Sequence, residues 1–114
     1  MNAVGLVHLV VTALLVAVCL PLKRRQIARN HWYGVRIPAS LASDEAWYAY
    51  NEYFARRMLR WTVPIGLWGA AELFGLDCVP PPWRHIAPFT VLVFLAIPVI
   101  QTVFWRPTSG QSRP

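Results

Sequence analysis

The chain has 114 residues, 56% of them hydrophobic and 14% charged, with a formal net charge of +6. That is one domain at most, and the apolar residues fall in blocks instead of alternating with polar ones, which excludes an ordinary soluble core. The basic excess clusters beside the apolar blocks, so it points to a lipid bilayer and not to a nucleic acid.

Val4 to Leu22 is an uncharged run of about twenty residues, the length a helix needs to cross a hydrocarbon layer of ~30 Å. A signal peptide carries its positive charge before the apolar run; here Lys23, Arg24 and Arg25 follow it, so the segment is expected to be retained as a first span. Val18 stands where a lipoprotein cleavage site before Cys19 would want a small residue. A second, shorter run extends from Thr62 to Leu76, with the helix that feeds it supplying another turn from Met58 and Pro64 expected to kink the entry. The three prolines Pro80, Pro81 and Pro82 enforce a stiff turn, and Ile86 to Trp105 forms a third run whose Pro88 and Pro98 are tolerable in lipid. The predicted spans are 4–22, 60–77 and 86–105 of a single domain over 1–106, with a motif segment over 23–59 and a disordered tail over 107–114.

Lys23, Arg24, Arg25, Arg29, Arg36, Arg56, Arg57 and Arg60 all lie between the first and second runs, against Arg84 alone between the second and third. Short loops rich in Lys and Arg stay in the cytoplasm, so the N-terminus is predicted outside and both the central segment and the C-terminus inside. Cys19 and Cys78 then fall on opposite sides, without a disulfide. Trp61, Trp83 and Trp105 are expected at headgroup level.

In the central segment Ser43 is placed to cap a helix, with Asp44 and Glu45 in its first turn. Trp47, Tyr50, Phe54, Met58 and Trp61 recur at intervals of three and four, a stripe from which Glu45, Glu52, Arg56 and Arg60 stand off. This amphipathic helix is expected to lie along the inner surface or under the bundle and then turn upward into the second span. Before it, Gly34 suggests a turn or a close backbone approach. Arg36 calls for a partner: a lipid phosphate, a carboxylate such as Glu45, or carbonyls at a helix end.

The residues Asn30, Trp32, Tyr33, Gly34, Arg36, Pro38, Ser40, Leu41, Ser43, Glu45, Trp47 and Asn51 together resemble the signature of the SdpI family, with the core N-x-W-Y-G-x-R-x-P-x-S-L-x-S-x-E-x-W. The resemblance extends over about residues 20–105 and implies a small bacterial plasma-membrane protein. The family's namesake confers immunity to a toxic peptide and is reported to bind a transcriptional repressor at the membrane. Ile37 stands where the family often has Thr, no glycine falls late in the amphipathic helix near Ala55, and the additional membrane half of the larger member is absent from this sequence.

Inside the spans, Glu72 is a lone carboxylate about 7.5 Å from the outer end, and an intramembrane ionisable group is a functional candidate. His8 is expected at similar depth and able to hydrogen-bond to it. Gln101 is expected to satisfy a carbonyl freed by a proline or to reach the central segment. Gly66 with Ala70, and Ala71 with Gly75, have small-xxx-small spacing, which serves either packing within the bundle or a homodimer. His31 and His85 lack partners that would make a metal site, and hydrolytic and phosphate-loop motifs are missing, so neither an enzyme nor a cofactor is expected.

The expectation is an all-α membrane protein with three transmembrane helices and an amphipathic helix between the first and second. Its function would be binding, by immunity against or sensing of a membrane-active peptide, with a cytoplasmic regulator as a second partner. Proton-linked transport, lipid handling and a scaffold role are the alternatives.

Overall fold

The computed structural model describes residues 3–107 and is all-α. The tail from 108 onward, expected to be disordered, lies outside the described residues. Helix α1 spans Ala3–Lys23 and α2 spans Asp44–Gly75, followed by a 3₁₀ turn over Leu76–Cys78. After the prolines come a single turn, α3, at Trp83–Ile86, a second 3₁₀ turn at Ala87–Phe89, and α4 at Thr90–Phe104.

Helix α2 is the spine. The expected turn between an interfacial helix and a second span does not occur, and both belong to one helix of 32 residues that continues through Pro64. At ~1.5 Å per residue it measures about 48 Å, close to the molecule's longest extent of 51 Å. Pro64 removes a single backbone donor, and the turns on either side carry the helix past it. Ser43 caps α2 as expected, its Oγ accepting from the Ala46 N–H at 3.0 Å, and Asp44 and Glu45 occupy the first turn.

α1 packs antiparallel along α2 and α4 packs antiparallel on another side, while α1 and α4 scarcely touch. Near the start of α1, a Cβ on Gly5 would lie 2.3 Å from Leu73 N and 2.7 Å from the Gly69 carbonyl. Only glycine permits that approach. Near the end of α1, Cys19 and Leu22 meet Ala55 and Met58 in a buried cluster that Leu95 of α4 also joins. Ala55 is fully buried, so the position that lacks the family's glycine holds a small residue packed in the core. Residues 55–73 of α2 therefore run beside 5–22 of α1 for about 27 Å.

The expected small-residue pairs are not what brings the helices together. Gly66 meets only the Thr12 methyl group at 3.4 Å, a Cβ on Gly75 would meet nothing within 4 Å, and Ala71 is exposed. The expectation overlooked Gly5 because it compared small residues within one span, not across two.

α1 and the stretch Trp83–Phe104 are long and apolar enough to cross a membrane. In a soluble protein such helices would be buried; here both turn large apolar side chains outward, among them Leu14 at 60% exposure and Phe104 at 77%. Val63, Leu67 and Phe74 of α2 continue the same exposed band. Exposed apolar surface of this kind is what a membrane-spanning helix presents to lipid. α2 is not among the helices apolar enough to cross a membrane by composition; Asp44, Glu45, Glu52, Arg56, Arg57 and Arg60 lie before Thr62, and Glu72 lies beyond it.

Trp61 stacks on Phe94 at 5.8 Å, eight residues or about 12 Å along α2 from Tyr53, whose ring stacks on Trp105 at 4.3 Å. Trp61 is thus a packing residue between α2 and α4. Trp83 is exposed at the start of α3. Cys19 is buried and Cys78 exposed at opposite ends of the fold, and both are free.

Candidate functional site

The segment between α1 and α2 contains no helix or strand, yet it is fixed by side chains. After Lys23 the chain turns at Arg25, which has a φ of 58°, and the Arg25 guanidinium spans to both oxygens of Glu52 at 3.4 Å. Asn30 closes the next turn: its Oδ1 accepts from the N–H groups of Trp32 and Tyr33, and its Nδ2 donates to the Ala28 carbonyl. Tyr33 then donates its hydroxyl proton to the Val18 carbonyl of α1 at 2.6 Å.

The segment is clamped to α2 by Trp47 and Asn51. Trp47 is fully buried and its indole N–H donates to the Ile27 carbonyl at 2.8 Å. Asn51 Oδ1 accepts from the Val35 N–H at 2.6 Å, while Nδ2 donates to the Trp47 carbonyl at 2.9 Å. Gly34 has a φ of +112°, and a Cβ there would lie 2.5 Å from Asn51 Oδ1 and 3.1 Å from the Trp47 ring. Both the backbone conformation and the space thus call for glycine. Buried Ser40 donates to the Val35 and Ile37 carbonyls and accepts from the Ile37 N–H.

These bonds divide the signature into two sets. Asn30, Tyr33, Gly34, Ser40, Ser43, Trp47 and Asn51 build and hold the loop, whereas Trp32, Arg36, Pro38 and Glu45 are displayed on it. Trp32 is 82% exposed and touches Tyr33 edge-on at 5.9 Å. Arg36 is exposed and does not pair with Glu45; among the described residues it has no hydrogen-bond or ion-pair partner. Asp44 is engaged by Arg29 at 3.4 Å and Glu52 by Arg25 and Arg56.

The loop has two chemically different sides. On one, Gly34, Val35 and Ile37 close an apolar cavity of about 310 Å³ with Val18 and Leu22 of α1, Phe54 of α2 and Val99 and Val103 of α4. On the other, Arg36, Asn30, His31, Arg29 and Leu41 line a polar basin of similar size. The Arg25–Glu52 clamp is not evident from spacing, since it joins the end of α1 to α2 across 27 residues. Its signal in the sequence was a basic residue just past α1 together with a carboxylate on the stripe-flanking face of α2.

At the other end of the bundle His8 Nδ1 lies 2.5 Å from Glu72 Oε1. Glu72 is 3% exposed, and its second oxygen is buried without a partner. Glu72 also lines a small cavity of about 180 Å³ with Trp68, Leu76, Val79 and Ala87. Gln101 Oε1 is buried without a hydrogen-bond partner among the described residues. Among the described residues no group of three His, Cys, Asp or Glu side chains converges as a metal site would require.

A family model, described as the SdpI/YfhL protein family, matches residues 26–105. No curated protein and no solved structure matches the chain. The matched region begins just before Asn30 and ends with α4, so it takes in the loop, its clamp and two of the three long helices, and the chain belongs to the SdpI/YfhL protein family.

Proposed function

We propose that this is an integral membrane binding protein that protects against, or senses, a membrane-active amphipathic peptide, with the loop over 24–43 as its inner binding platform. The observation that carries this reading is the two-sided loop. An apolar cavity and an unpaired Arg36 flank one backbone that is held by Trp47 and Asn51. An amphipathic chain has both matching parts, apolar side chains for the cavity and a carboxylate for the guanidinium. Its presence would be relayed to a cytoplasmic partner through exposed Trp32 and Glu45.

The reading includes a topology of three crossings. The 55–73 half of α2 runs in register with α1 and shares its exposed apolar band, so it crosses the bilayer with α1 and α4. The basic loop then lies in the cytoplasm and the N-terminus outside.

The test is survival of cells expressing the chain when challenged with membrane-active peptides. Arg36→Lys, which keeps the charge but loses the planar fork, and Val99→Trp, which fills the cavity, are each expected to lower protection, whereas Glu72→Gln leaves it intact. Full protection by both of the first two variants would overturn the reading. A second reading, proton-linked transport, is favoured by the buried His8–Glu72 pair with its unpartnered oxygen. It predicts the reverse, a pH-dependent flux abolished by Glu72→Gln and indifferent to Arg36.

A further inference from the structure

A second built site lies on the opposite flank of α2, away from the loop. Tyr53, Arg56, Arg57 and Arg60 recur at intervals of three and four on one face of α2 and, with Trp105 from the end of α4, line a cavity of about 280 Å³. Its aromatic wall is rigid. The Tyr53 ring stacks on Trp105 with an interplanar angle of 12°, Tyr50 packs edge-on to the same indole, and the Tyr50 hydroxyl donates to the Trp105 carbonyl. The Arg57 guanidinium lies over the Tyr53 ring, 5.0 Å from its centre.

The charge in this cavity is only partly compensated. Glu52 is the carboxylate nearby, and it is divided between Arg25 at 3.4 Å and Arg56 at 3.7 Å. Arg57 and Arg60 have no acidic partner among the described residues. Arg106 adds a further positive charge beside Trp105, where it donates to the Val103 and Trp105 carbonyls. Side chains on a helix lean toward its N-terminus, so Arg60, attached about 10 Å further along α2 than Tyr53, reaches back toward the ends of α1 and α4. Three guanidinium groups thus converge at the level where both apolar helices end, which is where a phospholipid carries its phosphate.

We propose that Arg56, Arg57 and Arg60, walled by Tyr53 and Trp105, form a binding site for a phosphate group, presented by an anionic phospholipid of the inner leaflet. The forked donors of Arg57 and Arg60 take the phosphate oxygens, and the stacked rings face the glycerol and the first acyl carbons. The inner-leaflet assignment rests on the proposed topology; the phosphate chemistry does not, and binding in micelles tests it separately.

The test uses the full chain purified in a neutral detergent. Phosphatidylglycerol, phosphatidylcholine and inorganic phosphate are compared by thermal shift and by native mass spectrometry of bound lipid. Phosphatidylglycerol is expected to stabilise the protein and remain bound where phosphatidylcholine does not. Arg57→Gln/Arg60→Gln is expected to weaken phosphatidylglycerol binding about tenfold or more. Lys23→Gln/Arg24→Gln, which removes two charges from the same end of the molecule, is expected to bind as the wild type does. Arg57→Lys/Arg60→Lys, which retains charge without the fork, should fall between. Equal loss in the two Gln pairs would show diffuse attraction and overturn the site. A stabilisation by inorganic phosphate equal to that by phosphatidylglycerol would overturn the lipid as its source, no preference for phosphatidylglycerol over phosphatidylcholine would overturn an anionic lipid, and no binding of any of the three would overturn the phosphate site itself.

Discussion

Replacing Gly5 by alanine should be among the most damaging single-methyl changes available in this fold. The new carbon would sit 2.3 Å from Leu73 N, 2.6 Å from Leu73 Cα and 2.7 Å from the Gly69 carbonyl oxygen, against an ordinary contact distance of ~3.5–4.0 Å. All three are backbone atoms of α2, so no side chain can rotate aside, and α1 must back away by about 1 Å or more. One turn along, His8 and Glu72 are 2.5 Å apart, and a displacement of that size takes them beyond hydrogen-bond range. Overpacking costs ~1–3 kcal/mol and a lost hydrogen bond ~0.5–1.5, offset by up to ~1 from alanine's better helix propensity. The net expectation is a destabilisation of about 0.5–4.5 kcal/mol. It can be measured by SDS-driven unfolding in mixed micelles, followed by tryptophan fluorescence. Gly69→Ala, whose methyl would meet the His8 Cβ at 3.2 Å, should cost within ~1 kcal/mol, and Gly75→Ala, with nothing within 4 Å, should be neutral or slightly stabilising. If Gly5→Ala unfolds with the wild type, or Gly75→Ala is as harmful, the account of α1–α2 packing is wrong.

Asn51→Leu removes the acceptor for the Val35 N–H and the donor to the Trp47 carbonyl, so it should cost ~1–3 kcal/mol and expose the 24–43 loop to limited proteolysis while α1 and α4 stay protected. Trp32→Ala deletes an exposed side chain that holds nothing in place; stability should stay within ~0.5 kcal/mol while partner binding at the inner face is lost, as read by co-purification. The proposed topology puts exposed Cys78 outside, so an impermeant maleimide added to intact cells should label the wild type. A Cys78→Ser/Ala42→Cys chain should resist the reagent until the cells are opened. Position 42 suits this test because it is exposed, whereas Ser40 is buried.

Features set by local chemistry were legible in the sequence. Ser43 with two acids behind it reads as a helix start, the aromatic stripe reads as the buried face of α2, and counting residues from the chain turns puts His8 and Glu72 at one depth. What escaped depends on how segments meet. The unbroken course of α2 was hidden because Pro64 suggests a kink and the polar stretch before it reads as an interfacial helix that turns into the span, yet the helix continues through the proline. The stacking of Trp61 on Phe94 escaped because an indole at the edge of an apolar run has the same local pattern with or without a ring packed against it. The split of the signature into holding and displayed residues could not be read from spacing either. Gly34 and Arg36 stand two residues apart and have opposite roles, and only the contacts with Asn51 and Trp47 separate them.

The spine helix carries Trp47 near one tip and Glu72 near the other, 25 residues or about 37 Å apart, with no joint between them. A rod of that kind cannot lean at one tip alone. A tilt of about 3° about its far end moves the near end by about 2 Å over this length, enough to break the Val35–Asn51 bond. In the proposed topology, events at the two faces of the bilayer are therefore mechanically joined through a single lever.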